Sequence, residues 1–378
     1  MRIAVVFESF VRAGSQRHLL EILKGIRLFR PDLECQLFLI APTNDRWGTY
    51  LFELQQVGIV VVKAPYVFRR HDGQFIGSRV LNWWSRRWLE RILNYTFYRQ
   101  LAEFDTVVCA QPFVADLLLP HARIGQRLCF HLMEHMAQRS RYEYERLLRN
   151  RRLSLVFMHN SQIVQLPTKF DLTKTLTWPV RLCPGQHLEA LGPKDDVSNP
   201  FCIVHYSRIS PMRFVDQVID AFALLCCHTS ATLRIAGFIE DPSYHLALLS
   251  QIARLGLSDA IRFVDPVPSP AEDPARAEVD LVWMISLSGH IGYAGIEAMA
   301  AGLPTLLLEV DHHGDPACVD PELAGLICAT PQQLVQRSLE LKTDPGAFRE
   351  QQAQLVRQRF ITTKEAIDEL TAFYLGQR

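Results

Sequence analysis

The stretch DLVWMISLSGHIGYAGIEAMAAGLPTLLL, Asp280 to Leu308, decides how this chain is read. Asp280 to Ile285 is a short apolar run suited to a buried parallel strand. The loop that follows holds three glycines, Gly289, Gly292 and Gly295, within seven residues. Ile296 to Ala301 is rich in helix formers, Gly302-Leu303-Pro304 stops it, and Thr305 to Leu308 begins a second buried strand. A glycine-rich turn that opens a helix offers bare N–H groups and the positive end of the helix dipole, which suits a phosphate. Glu297, one turn into that helix, can accept hydrogen bonds from a ligand or act as an N-terminal charge cap. An ordinary strand–helix–strand unit of an open sheet would show the same pattern.

Outward from this stretch the alternation repeats. Arg2 to Phe7, Cys35 to Ile40, Gly58 to Ala64, Asp105 to Cys109, Arg127 to Leu132 and Leu153 to Met158 read as strands, as do Phe201 to Tyr206, Ala231 to Ala236 and Ile261 to Val264. Helical periodicity runs through Gln16 to Phe29, Tyr50 to Gln56, Val215 to Cys227 and Leu246 to Leu255, and through two terminal helices, Ala347 to Phe360 and Thr363 to Leu375. Strand and helix alternating in this way predict an α/β protein of doubly wound parallel sheets. Leu182 to Pro200 is rich in proline, glycine and charge, as linkers are. The expected division is a first domain over 1–183, a linker over 184–200, a second domain over 201–355, and a terminal helix over 356–378 that crosses back to the first.

A chain of 378 residues, 48% apolar, is large enough for two domains with real cores. The formal net charge of zero conceals a split: residues 1–190 carry 26 Lys/Arg against 16 Asp/Glu, and the second half carries the opposite excess. A basic first half favours an anionic partner, such as a phospholipid surface or a pyrophosphate-bearing molecule. Residues 69–100 hold seven arginines among tryptophans and tyrosines, and 139–152 hold six. Two readings stand for these segments: an interfacial helix on an anionic membrane, or an amphipathic helix packing its tryptophans on its own core. Nucleic acid is not an expected partner, because the second half is acidic and shows no nucleic-acid module. The nine cysteines include no C-x-x-C pair and read as buried thiols of a reducing cytosol. The first residues enter a strand without a cleavage pattern, and no apolar run reaches the ~18 residues a membrane span needs. The expected place is the cytoplasm, with the inner face of the membrane as the alternative.

Leu128 to Glu134, LCFHLME, puts His131 at the end of a strand. Ligands of open α/β sheets gather at strand carboxyl ends, and a neutral imidazole can accept or relay a proton there. A satisfied core histidine is the competing reading, and His135 and His159 are weaker candidates of the same kind. Asp311-His312-His313-Gly314-Asp315 has the residue types of a metal cluster but no visible third ligand site, so a surface loop and no metal are expected. Arg208 and Arg213 lie about one helical entry apart, and two cations so placed can chelate a pyrophosphate without a metal.

These motifs together resemble the GT-B glycosyltransferases of the retaining family four, also called group 1. Glu297-Ala298-Met299-Ala300-Ala301-Gly302-Leu303-Pro304 matches the second half of that family's paired-glutamate motif, E-G-F-G-x-x-x-x-E-A-M-A-x-G-x-P. Gly289 stands where its first glutamate would be. Arg208 and Arg213 fall on the arginine and lysine of G-R-L-x-x-x-K-G, with Phe214 in place of the last glycine. Gly14-Ser15-Gln16-Arg17-His18 is similar to the first-loop motif G-G-x-x-R-H, with Ala13 for its first glycine. The resemblance implies two Rossmann-like doubly wound domains facing a cleft, no cofactor and no metal. It implies a nucleotide-diphosphate sugar as donor, expected to be a UDP- or GDP-sugar. The donor-binding residues would be Gly14, Arg208, Arg213, Gly292, Tyr293, Ala294 and Glu297. His131 would face the acceptor, and His290 is the expected replacement for the missing glutamate. Transfer would go, with retention, to the hydroxyl of a glycan, lipid-linked or small-molecule acceptor. A binding subunit without turnover, motivated by Gly289, and a GT-B nucleotide-sugar epimerase are the alternatives.

Overall fold

The computed structural model describes residues 1–10, 12–41, 48–64, 94–123, 125–133, 147–148, 150, 152–158, 162, 170–184, 200–287, 291–311, 323 and 325–377. The chain divides into two compact units, 1–179 together with 362–378, and 180–361.

The sheet of the first unit is built from β1 (Arg2–Phe7), β2 (Glu34–Leu39), β3 (Val60–Lys63), β4 (Thr106–Cys109), β5 (Arg127–Leu132), β6 (Leu153–Phe157) and β7 (Thr175–Thr177). All pairs are parallel, in the order β3-β2-β1-β4-β5-β6-β7. Alternate residues of a strand point to opposite faces. Ile3, Val5, Leu37 and Val108 therefore pack on the helix Gly14–Phe29 and the terminal helix Lys364–Leu375, while Ala4, Val6, Phe38 and Phe130 pack on Phe97, Leu101 and Val114 across the other face. Each of the larger side chains among these contributes about 1.5–3 kcal/mol by leaving water.

The terminal helix is capped at its start and tied to the sheet near its end. Thr363 caps its first turn by accepting from the Ala366 N–H at 3.2 Å. Near its other end the Tyr374 carbonyl accepts a 2.8 Å bond from Thr106 Oγ1. In between, Gly25 lets the helix approach: a Cβ there would lie 2.7 Å from Ile367 Cδ1.

The second sheet comprises β8 (Phe201–Tyr206), β9 (Ala231–Ala236), β10 (Ile261–Val264), β11 (Leu281–Leu287), β12 (Thr305–Asp311) and β13 (Ile327–Cys328), again wholly parallel, in the order β10-β9-β8-β11-β12-β13. Trp283 turns to the helices on one face, its ring 6.5 Å from that of Phe222 and its Nε1 donating to Ser338 Oγ at 3.0 Å. Met284 turns to the other face, towards Gly295 of the helix Tyr293–Ala300. The chain enters and leaves this unit side by side. Leu182 and Ile361 form a parallel bridge, and the Leu182 N–H donates to the Phe360 carbonyl at 2.6 Å.

β1, β5, β8, β9 and β10 span the residues the sequence pattern predicts. Helix starts differ. Pro242–Arg254 begins four residues before the apolar run, because Asp241 caps Ser243 and Tyr244 and Pro242 takes the first turn. The stretch Ala347 to Phe360 is an α-helix from Pro345 to Leu355 followed by a π-turn over Val356–Phe360. The helix Pro331–Thr343, capped by Thr330, was not expected. No described helix is long and apolar enough to cross a membrane.

Candidate functional site

Each sheet reverses its direction of winding once, between β1 and β4 and between β8 and β11. Such switch points, at the carboxyl ends of the strands, are where open α/β sheets bind ligands. In the second unit the chain leaves β8 through Ser207-Arg208-Ile209-Ser210. This loop is held by backbone. Ser207 N–H donates to the Ala236 carbonyl at 3.1 Å, Ile209 N–H to the Phe238 carbonyl at 2.8 Å, and Ile209 and Ile239 form an isolated parallel bridge. Gly237 permits the approach, since a Cβ there would sit 1.8 Å from the Ser207 carbonyl oxygen. The result sets Arg208 against Glu240, Nη1 to Oε1 at 2.9 Å, with both side chains about one-third exposed.

Beyond it, Pro211–Arg213 forms a 3-10 turn and Phe214 opens the helix Val215–Cys226. Phe214 has φ 50° and ψ 38°, and is the one non-glycine residue with positive φ among the described residues. That left-handed conformation is disfavoured by roughly 1–2 kcal/mol in an L-residue with a Cβ. The turn therefore needs the geometry that a glycine gives, and this chain supplies it with phenylalanine.

Below the turn lies a residue the sequence reading passed over. His205, the penultimate residue of β8, is fully buried. Its Nδ1 lies 2.8 Å from the Trp283 carbonyl oxygen on β11, and only an N–H can bridge that pair. Burial lowers the ring's pKa from 6.5 to about 4; the Trp283 bond opposes this and the charge of Arg213 adds to it.

The helix Tyr293–Ala300 starts at Gly292, which is extended (φ −82°) and has no side-chain cap. The first N–H groups of any helix lack intrahelical partners. Gly292 is exposed, and a Cβ on it would meet no protein atom within 4 Å; the same holds for Gly14, the first residue of the helix Gly14–Phe29. Gly295, by contrast, is required by packing, since a Cβ on it would lie 2.8 Å from Ile291 Cγ1. Tyr293 is buried and donates to the Arg181 carbonyl at 3.3 Å, Ala294 is half-buried, and Glu297 is buried in the second turn.

In the first unit His131 is enclosed rather than presented to solvent. Its Nδ1 lies 3.1 Å from Nε2 of His18, and its Nε2 lies 2.6 Å from the Tyr374 hydroxyl. All three side chains are buried. Burial, and then His18, hold His131 well below the usual histidine range, so it is neutral. The structure thus joins His18 and Tyr374 to His131. Neither partner was singled out from sequence, although His18 belongs to the first-loop motif.

Gly289 and His290 lie outside the described residues, as do His135, His159, residues 312–315, and most of 69–100 and 139–152. The eight cysteines described are free thiols, six of them buried.

Residues 193–359 match the family model described as Glycosyl transferases group 1. A stretch of 128 residues is 34% identical to a D-inositol 3-phosphate glycosyltransferase of Jonesia denitrificans, covering 32% of this chain and 28% of that protein. Another of 119 residues is 28% identical to the N-acetyl-alpha-D-glucosaminyl L-malate synthase of Bacillus anthracis, 30% of each chain. The matched stretches thus span less than a third of those two relatives. Over 100% of both chains, at 20% identity, the structure is similar to Anabaena Alr3699/HepE in complex with UDP and glucose, with a TM-score of 0.74. The shared architecture is the GT-B fold.

Two stability predictions follow from this geometry. Phe214→Gly and Phe214→Ala remove the same ring, so their difference isolates the backbone. Urea unfolding will find the Gly variant the more stable by about 1 kcal/mol, the reverse of the order inside a helix. A more stable Ala variant would contradict the strain. The second concerns pH. Above pH 6.5 His205 is neutral in both folded and unfolded chains. Between pH 6.5 and about 4 only the unfolded chain takes up the proton, so stability is lost as pH falls through that window. The full shift is worth roughly 3 kcal/mol. Urea midpoints for the second unit will drop between pH 7 and pH 5, and replacing His205 by an amide residue will flatten the profile.

Proposed function

We propose, from the match of residues 193–359 to the group 1 glycosyltransferase model, that this protein transfers a sugar from a nucleotide-diphosphate sugar to an acceptor hydroxyl, without a metal and with retention of configuration. The carrying observation is the Ser207–Arg213 loop, bridged to Ile239 at the carboxyl end of β8, which puts two arginines at the switch point of the second sheet. In transfer, the bond between the anomeric carbon and the phosphate oxygen breaks and a bond to the acceptor oxygen forms. The acceptor hydroxyl gives up its proton, and negative charge grows on the departing diphosphate. Arg208 and Arg213 meet that charge in place of a metal, and guanidinium does so with two parallel N–H donors. Glu240 uses only Nη1 of Arg208, which leaves donors for phosphate oxygens.

The start of the helix Tyr293–Ala300 offers a further anion site. The open space over Gly292, and over Gly14 in the first unit, admits a ligand against backbone. Glu297 holds sugar or ribose hydroxyls. Uridine is the favoured base, because the similar Anabaena protein is described with UDP. His131 enters this reading as a neutral group that holds His18, since its own side chain is sealed from solvent. The acceptor is a glycan, lipid-linked or small-molecule hydroxyl, and the arginine- and aromatic-bearing segments 69–100 and 139–152 favour an anionic one.

Thermal unfolding with UDP-, GDP-, ADP-, CMP- and dTDP-sugars tests this. A donor at about 100 times its Kd adds about 2.7 kcal/mol, a rise of several degrees. One nucleotide class will give that rise, and Arg208→Ala will abolish it. Glu240→Gln, which releases Nη1, will tighten binding about two- to fivefold, as an exposed ion pair allows. No rise with any donor would contradict the proposal. A rise without sugar transfer by the isolated chain would instead leave a binding subunit.

A further inference from the structure

The ladder between β8 and β11 covers only Ile203 opposite Leu281 and Val204 opposite Val282, although β8 runs on to Tyr206 and β11 to Leu287. The strands therefore part at their carboxyl ends, at the point where the sheet reverses its winding. His205 stands in that opening. Its Nδ1–H is committed to the Trp283 carbonyl at 2.8 Å, which fixes the tautomer and leaves a lone pair on Nε2. Nε2 is buried and has no hydrogen-bond partner among the described residues. A buried acceptor in that state is costly to keep. A side chain carrying only the N–H donor would have satisfied the Trp283 carbonyl without that cost.

Arg213 lies eight residues along, on the turn that opens the helix Val215–Cys226, and its charge reaches the ring. A guanidinium can only donate, and a neutral imidazole so anchored can only accept at Nε2. We propose that His205 is the positioning residue for the diphosphate-binding arginine: in the diphosphate-bound state Nε2 accepts an N–H of Arg213, directly or through one ordered water, and aims the remaining N–H groups at the phosphates. This rests on the donor reading above. It gives the imidazole a use that packing alone does not, and ties the arginine to β11 through Trp283.

Two amide variants separate the ring's two nitrogens. In His205→Asn the short amide reaches the place of Nδ1 and keeps the Trp283 bond, but nothing occupies the place of Nε2. In His205→Gln the longer amide puts a polar atom near the place of Nε2. Titration calorimetry at pH 7.5 with UDP and UMP, with GDP and ADP alongside, reads the effect. The expected result is that His205→Asn keeps the wild-type unfolding midpoint and the wild-type affinity for UMP but binds UDP at least tenfold more weakly. His205→Gln should stay within about threefold of wild type for UDP. If His205→Asn loses UMP and UDP equally, or neither, the inference is overturned while the donor reading stands. If the wild-type protein binds none of the diphosphates, the donor reading falls and this inference with it.

Discussion

In a parallel pair of strands the chain cannot turn back in two residues. It must cross a face of the sheet and return to the same edge before the next strand can pair. Among the described residues every strand pair in both units is parallel. Helices therefore cover both faces, strands such as Phe201–Tyr206 and Leu153–Phe157 are buried along their whole length, and all the outgoing loops collect at one edge. Where the winding reverses, neighbouring loops depart to opposite sides and leave an opening that polar groups can line. Arg208, Arg213 and His205 all belong to β8 or the loop leaving it, and Trp283 belongs to the strand across that opening.

Holding two cations at such an edge requires a backbone that does not yield. The Ser207–Arg213 loop obtains this from neighbouring backbone rather than from a packed core. The Ile209–Ile239 bridge clamps it, and Gly237 allows two carbonyl-bearing turns to meet at a distance no side chain would permit. Phe214 then turns the chain into a helix through a left-handed conformation. The loop thus carries strain that the surrounding hydrogen bonds overcome, a pattern common where a ligand is held. The first unit uses a different device. His18, His131 and Tyr374 form a buried chain that links a strand end, the first helix and the terminal helix.

Much of this architecture was legible because parallel strands are apolar throughout and flanked by turn residues. Arg127–Leu132 and Ala231–Ala236 are bounded in the sequence as they are in the structure. Helix starts were less legible, because first turns are polar or glycine-bearing and show no apolar period, as at Pro242 and Tyr293. Pro331–Thr343 was missed although Thr330 and Pro331 mark its start, because its sequence is largely polar. Arg208 and Arg213 could be found because the stretch after β8 resembles the family motif G-R-L-x-x-x-K-G. Their surroundings could not. Glu240 meets Arg208 across 32 residues, Trp283 meets His205 across 78, and Tyr374 meets His131 across 243. Such contacts depend on which strands lie side by side. Phe214 shows a signal that could have been used, since a bulky residue in place of a glycine marks a turn under strain.

The most direct test of the central claim, that a nucleoside diphosphate is held at the carboxyl edge of the second sheet, is amide hydrogen exchange with and without UDP. The account predicts that UDP slows exchange in peptides spanning residues 207–214 and 291–297, and that Arg208→Ala removes the effect. Exchange unchanged at 207–214, with protection elsewhere in the chain, would contradict it.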